Sequence, residues 1–293
     1  LRLAAQQCFY TEIAKHELVL SSVFNAVAQD HHLNDQIRGY PTPLSSRHLA
    51  NEVAPEVVER MLAVTETNYA VAHQYYALKA RLLKLPKMAT YDQYAAFGRF
   101  HPTMRSVASD FFEKNWIDAE VRPAKRGGAF SASTVPQVHP YILLNWTDKL
   151  RDVSTLAHEL GHGIHQYLSR KQTYLNFHHP LTIAETASVF AEFLTFDYVM
   201  ETTADPDIRL GLLCGKIEDA FATVFRQNVL TRFEQAAHAA RRQEKLSSDD
   251  LCDHWWRANE ALYGDAVEMF DQYRWGWAYI PHFIHTPFYC YAY

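Results

Sequence analysis

Apolar residues recur at three- and four-residue spacing along most of the chain, a period that predicts helices almost throughout. Over residues 55–84, Val57, Val58, Met61, Leu62, Tyr75, Tyr76, Leu82 and Leu83 keep that period, with Asn51 and Pro55 where helix-start residues belong. A helix is likewise expected over 1–29, a turn region from Asp35 to Ser46 around Gly39, Pro41 and Pro43, and a third helix from Pro102 to Asn115. Residues 116–136 show no period and are punctuated by Pro123, Gly127, Gly128 and Pro136, so they are expected to be irregular. Val138 to Trp146, rich in Tyr, Ile and Leu, is the strand candidate. Long helices are expected again over 152–169, 181–200, 205–242 and 248–272. The expected fold class is therefore mainly α, with a small β-sheet beside the helix at 152–169.

Composition narrows the function classes. A chain of 293 residues, 48% hydrophobic and 21% charged, can bury a sizeable core. A net charge of -5 without any Lys/Arg cluster gives no footprint for nucleic acid or for an anionic membrane. No apolar run reaches the ~20 residues of a membrane span. Cys8, Cys214, Cys252 and Cys290 show no paired spacing, so free thiols in a reducing cytoplasm are expected. The chain opens at Leu1 without Met and stops inside the aromatic run Tyr289–Tyr293, and a fragment at both ends is expected.

The chemistry concentrates in Thr155-Leu-Ala-His158-Glu159-Leu-Gly-His162-Gly-Ile-His165-Gln166. Two histidines four apart lie on one helix face, so both imidazoles can reach a single ion. Glu159 falls one step around the helix, beside such an ion, where it can accept a proton from an attacking water. Leu156, Leu160, Ile164 and Tyr167 form an apolar stripe roughly opposite, which would anchor the helix in the core. Gly161 and Gly163 are poor helix formers, and their presence predicts close packing against another backbone.

A third ligand is available downstream. In Leu181–Glu192, Glu185, Ser188 and Glu192 share a helix face amid Ile183, Phe190, Phe193 and Leu194, and a carboxylate there needs a cation or hydrogen bonds to compensate it. Two His, one Glu and a water make a catalytic zinc set. Glu192 then fits as the partner that orients a ligand histidine. His165, seven residues after His158, returns to the same face and stands as the alternative ligand. An exposed edge at Val138–Trp146 could pair with an extended peptide, and Gly127-Gly128 could admit substrate backbone closely. His31-His32 and His178-His179 are expected in solvated loops.

These stretches, AHELGHGIHQ followed by TIAETASVFAEFL, resemble the M3 peptidases, and specifically the oligoendopeptidase F branch. Arg38-Gly-Tyr40, Arg126–Phe130 with His139–Leu143, and Ile280–Phe283 with Pro287–Tyr289 agree. The resemblance spans nearly the whole chain, as one catalytic domain over 1–293. It implies a helical, two-lobed channel fold and a zinc endopeptidase that cleaves internal bonds of short oligopeptides, with no nucleic-acid or membrane partner. It implies one Zn2+ per chain on His158, His162 and Glu185, with Glu159 as general base. It further implies that a C-terminal loop holds substrate and oxyanion, for which His282, His285, Tyr289 and Tyr291 are the available side chains. Members are typically much longer, with chain before Leu1 and after Tyr293. Carboxypeptidase or peptidyl-dipeptidase cleavage by the same site, and an inactive peptide-binding relic, are the alternatives.

Overall fold

The structure is a computed structural model that describes residues 2–82, 88–89, 102–147 and 150–292. In chain order it runs α1 (Arg2–Ala14), α2 (Glu17–Arg38), α3 (Ser45–Ala50), α4 (Pro55–Thr67), α5 (Tyr69–Leu82), β1 (Met88–Ala89) and α6 (Pro102–Glu113). There follow β2 (Ile117–Asp118), β3 (Phe130–Ala132), β4 (Tyr141–Leu143), α7 (Leu150–Ser169), α8 (Leu181–Thr202) and α9 (Pro206–Phe221). The chain ends with α10 (Gln227–Arg241), α11 (Ser248–Tyr263), β5 (Val267–Glu268) and α12 (His282–His285). The expected class, mainly α with a small sheet beside the motif helix, is what is found. No helix among the described residues is long and apolar enough to cross a membrane.

Two compact units are formed, Leu1–Gln93 with Phe221–Tyr293 and Tyr94–Ala220. In the second, the sheet order is β2-β4-β3, with β2 parallel and β3 antiparallel to β4. Phe111, Trp116, Ile142, Leu144 and Ile164 form its buried core, and Leu156, Leu160 and Tyr167 pack against them. The apolar stripe of α7 is thus anchored as its spacing predicts. The buried Lys125 ammonium binds the Asp118 side chain and the Asp118, Glu120 and Leu144 carbonyls at 2.7–3.0 Å, which ties β2 to the end of β4.

In the first unit α2, α10 and α11 pack through Phe24, Phe233 and Trp255, all buried. The C-terminal segment packs into the same unit through Phe283 and Phe288. Ser247 and Asp250 form a reciprocal cap at the start of α11.

Several expected boundaries move. The helix at 1–29 is two helices that break at Lys15-His16, and the second runs on to Arg38 because buried Asp35 is held by Arg242 at 2.6 Å. The segment 55–84 breaks at Asn68, whose side chain turns back to the Val64 carbonyl, while Leu83 lies outside the described residues. The segment 205–242 contains a wide π-type turn at Ala222–Arg226. Helix α11 stops at Tyr263 instead of 272 because the chain turns at Gly264.

The strand at 138–146 shrinks to Tyr141–Leu143. It is also the central strand, so it is not the exposed edge expected of it. Among the described residues the outer strands are β2 and β3, from the stretch read as irregular; two- and three-residue strands are too short to display alternation.

Candidate metal centre

Helix α7 carries His158, Glu159 and His162. His158 Nε2 and His162 Nε2 lie 3.1 Å apart. They meet Glu185, on α8, because α7 and α8 approach unusually closely at Gly161. A Cβ there would stand 2.7 Å from the Ala187 carbonyl oxygen and the Ser188 Cα, and 2.8 Å from the Ala191 Cβ. Any side chain would push the two helices apart. Close packing against backbone is thus found at Gly161, whereas Gly163 faces the ring of Phe111.

Glu185 is buried, and its Oε2 lies 3.5 Å from His158 Nε2 and 3.6 Å from His162 Nε2. Ser188 Oγ donates to the same oxygen at 3.1 Å. The three ligand-capable atoms thus form a triangle with edges of 3.1, 3.5 and 3.6 Å. Ligands about 2.0–2.1 Å from a tetrahedral ion are separated by about 3.3–3.4 Å, so this donor set of two imidazole nitrogens and one carboxylate oxygen fits zinc.

Glu192 completes the arrangement in the position expected of it. Its Oε1 accepts a hydrogen bond from His158 Nδ1 at 2.7 Å, and its Oε2 accepts one from Lys216 Nζ at 3.0 Å. The apolar surroundings anticipated for α8 are arranged differently from the expectation. Ser188 and Glu185 are turned inward, while Ile183, Phe190 and Phe193 are 42–52% exposed. It is the contact with α7, not a ring of aromatics, that buries the carboxylates.

In the metal-free protein, burial lowers the His158 pKa, but Glu192, Glu185 and Glu159 more than offset it, so the net shift is upward. Burial, with the neighbouring His158, pushes His162 down to about 3. Glu159 is pushed up to about 7, chiefly by burial and further by Glu185, against the pull of His158 and a backbone hydrogen bond from Ser131. Its Oε2 is buried and has no hydrogen-bond partner among the described residues. A ligand-capable triangle beside a carboxyl with one unused oxygen can hold a cation and move a proton next to it.

His165 is not in the triangle: among the described residues the group of side chains able to hold an ion is His158, His162 and Glu185. Its ring stacks on His179 at 4.0 Å. His179 is therefore not the solvated loop residue expected, since burial pushes its pKa down to about 4. His31 and His32 lie within α2, and His31 Nε2 donates to the Pro43 carbonyl at 2.7 Å. Gly128 has φ +79° in the turn that leads into β3, where Asn145 donates to the Arg126 and Gly128 carbonyls; Gly127 has no such φ, and a Cβ on either meets nothing within 4 Å.

His282, His285, Tyr289 and Tyr291 belong to the first unit. The His282 and Tyr289 rings stack at 4.8 Å, and His285 is exposed. Tyr291 is buried against Leu44, Val58, Leu62 and Phe288, with its hydroxyl 3.2 Å from His48 Nδ1.

Three residues near the centre had no part in the sequence expectation: Lys216, Ser131 and Gln166. A lysine inside the apolar run Leu212-Leu213-Cys214-Gly215-Lys216-Ile217 was the available signal for the first. Ser131 and Gln166, joined by Oγ–H···Oε1 at 2.8 Å and Nε2–H···O at 3.3 Å, carry no comparable signal.

Comparison with known proteins bears on this centre. The model of a family described as peptidase family M3 matches residues 97–293. The plasmid-borne oligoendopeptidase F of Lactococcus lactis subsp. cremoris is 29% identical over 319 aligned residues, covering 100% of this chain and 52% of that protein. Oligopeptidase PepF of Bacillus subtilis is 25% identical, covering 100% of this chain and 47% of its own length. The chain thus spans about half the length of these relatives. Among solved structures, oligoendopeptidase-F from Enterococcus faecium superposes with TM-score 0.66 at 23% identity over 99% of this chain and 48% of that one. PZ peptidase A with an inhibitor gives 0.84 at 15% identity over 100% and 56%. Those two likenesses concern the fold.

Proposed function

The chain belongs to peptidase family M3, and from that premise we propose that it carries the catalytic core of a zinc-dependent endopeptidase cleaving internal bonds of short oligopeptides. The observation that carries the reading is the triangle of His158, His162 and Glu185 with Glu159 beside it. His158, His162 and Glu185 would hold one zinc ion. Bound there, zinc would supply Lewis-acid polarisation of the scissile carbonyl and make water acidic enough to act as nucleophile near neutral pH.

The chain's own residues do the rest. Glu159 accepts the proton of the attacking water on its unpaired Oε2 and then delivers it to the leaving amine nitrogen. Glu192 orients His158 through Nδ1. The edge pairing expected of Val138–Trp146 is not carried over to β3, because the Ser131 N–H is engaged by Glu159 and its carbonyl by Gln166. The family resemblance offers His282, Tyr289 and Tyr291 as candidates for holding the oxyanion, and the Tyr291 hydroxyl lies 3.2 Å from His48 Nδ1.

Zinc content and cleavage of an internally quenched peptide, measured together with and without a chelator, test this. One zinc per chain is expected, with hydrolysis lost on chelation and regained on adding zinc. Hydrolysis indifferent to chelation would overturn the reading. Product masses decide the cleavage mode, because release of only one or two terminal residues would reject endopeptidase action.

A further inference from the structure

We propose that Lys216, on α9, is a positioning residue for the metal centre: it pins Glu192 so that Glu192 holds the His158 ring with Nε2 turned toward the ion. The proposal rests on the zinc reading above. Lys216 is 5% exposed, and its Nζ lies 3.0 Å from Glu192 Oε2 and 4.1 Å from the centre of the Phe193 ring. Lysine is almost never so buried unless paired, because its ammonium loses water that a carboxylate and a ring face must replace.

The two oxygens of Glu192 divide the work. Oε2 meets Lys216, which leaves Oε1 to accept from His158 Nδ1 at 2.7 Å. A carboxylate fixed at one oxygen cannot swing to offer His158 another angle. An imidazole whose Nδ1–H is bound to a carboxylate presents Nε2 as its lone pair. Nε2 is the atom that stands 3.1 Å from His162 Nε2 and 3.5 Å from Glu185 Oε2. Two bonds therefore run from α9 through α8 to the ligand face of α7, all inside one unit.

A lysine that merely packs α9 on α8 through its methylenes would be replaced by methionine without consequence for the metal. The test separates the two roles. Zinc affinity of folded wild-type protein, Lys216→Met and Lys216→Arg is measured by competition with a chromophoric chelator. The His158 tautomer is followed in the metal-free proteins by 15N NMR at alkaline pH. Lys216→Met should bind zinc about 10–100-fold more weakly and lose the single Nδ1–H tautomer, and Lys216→Arg should restore both.

Unchanged affinity and tautomer in Lys216→Met overturn the proposal. If that variant does not fold, Lys216→Gln takes its place, with a smaller loss expected and the same overturning result. Wild-type protein that binds no zinc would sink the zinc reading, and in that case loss of the fixed tautomer in Lys216→Met would still show that Lys216 positions His158 through Glu192. Zinc bound equally by all variants would sink only the role of Lys216.

Discussion

Glu159 and Glu234 are alike in everything local. Each is buried, accepts one backbone hydrogen bond (from Ser131 and Phe288 respectively) and leaves Oε2 without a partner among the described residues. Burial pushes the first up to about 7 and the second up to about 8. Their surroundings differ. Glu159 stands beside two imidazoles and a second carboxylate that form a cation-holding triangle. Glu234 sits on α10 among Phe288, Cys290 and the more distant Arg47, where it clamps the C-terminal segment at a residue with φ 58°. A buried carboxyl with a raised pKa is thus no mark of a catalytic base on its own. The ligand-capable neighbours make the distinction.

The largest separation should come from swapping each carboxyl for its amide. Glu159→Gln is expected to keep zinc and fold but to lose hydrolysis by on the order of 10²–10⁴-fold. Glu234→Gln should leave turnover nearly unchanged and match wild-type stability at acid pH without falling below it at neutral pH, since an amide oxygen still accepts from the Phe288 N–H and carries no proton to lose. Steady-state kinetics with zinc analysis checks both. Substantial turnover in Glu159→Gln removes it as the base, and a collapse of activity in Glu234→Gln would mean that burial is the better guide after all.

Next comes the metal. A structural zinc site binds with about 10–16 kcal/mol spread over four ligands, so Glu185→Ala should cost about 3 kcal/mol or more, two decades of affinity. His165→Ala should cost far less, since its ring faces His179 instead of the triangle. The reverse ranking would make His165 the ligand.

Glu234 predicts a pH dependence that Glu159 cannot be used to test while its neighbours bind metal. Its folded pKa, about 8, lies above the ordinary 4.5. Its contribution to stability is therefore complete below 4.5 and is lost as pH rises toward 8, because the unfolded chain releases the proton first. Urea unfolding from pH 5 to 8 should show wild type falling relative to Glu234→Gln; parallel curves would refute a neutral Glu234. Glu234→Ala should lose about 1–3 kcal/mol, leaving the Phe288 N–H unsatisfied.

How far the centre could be read from sequence follows the same division. His158, Glu159, His162 and Glu185 were legible because helical period alone decides which side chains share a face, and two helices of that period need only touch. The approach itself was legible in Gly161. Lys216 was missed because its partner lies 24 residues away on another helix, which no local pattern encodes. The sheet was misread because β2 and β3 are held by Lys125 and by pairing with β4, contacts that two or three residues cannot announce. The breaks at Lys15-His16 and Asn68 interrupt helices without disturbing the apolar period, so period alone runs through them.

Gly161 ties packing to chemistry at a smaller scale. Gly161→Ala gains about 1 kcal/mol of helix propensity but forces a methyl into backbone at 2.7 Å, an overpacking that costs about 1–3 kcal/mol. A net loss of up to about 2 kcal/mol is expected, together with weaker zinc binding as α8 carries Glu185 away. Stability lost with zinc affinity intact would show that the two helices can separate without opening the triangle.

The smallest effect should be found at the glycine pair, where it still discriminates. Gly128→Ala meets no neighbour within 4 Å, so its cost is the left-handed backbone alone, about 1–2 kcal/mol, reduced by about 0.4–1 for a stiffer unfolded chain. Gly127→Ala has neither penalty and should leave thermal stability unchanged or slightly raised. If substrate backbone runs close to this turn, kcat/KM falls in Gly127→Ala although stability does not, because only the incoming peptide meets the methyl. If the pair serves only to turn the chain into β3, Gly127→Ala is silent in both measurements and Gly128→Ala loses stability with activity following the folded fraction. Of the two buried carboxyls only Glu159, through Ser131 on β3, would feel this turn, so Glu234→Gln combined with either glycine variant should show simple additivity.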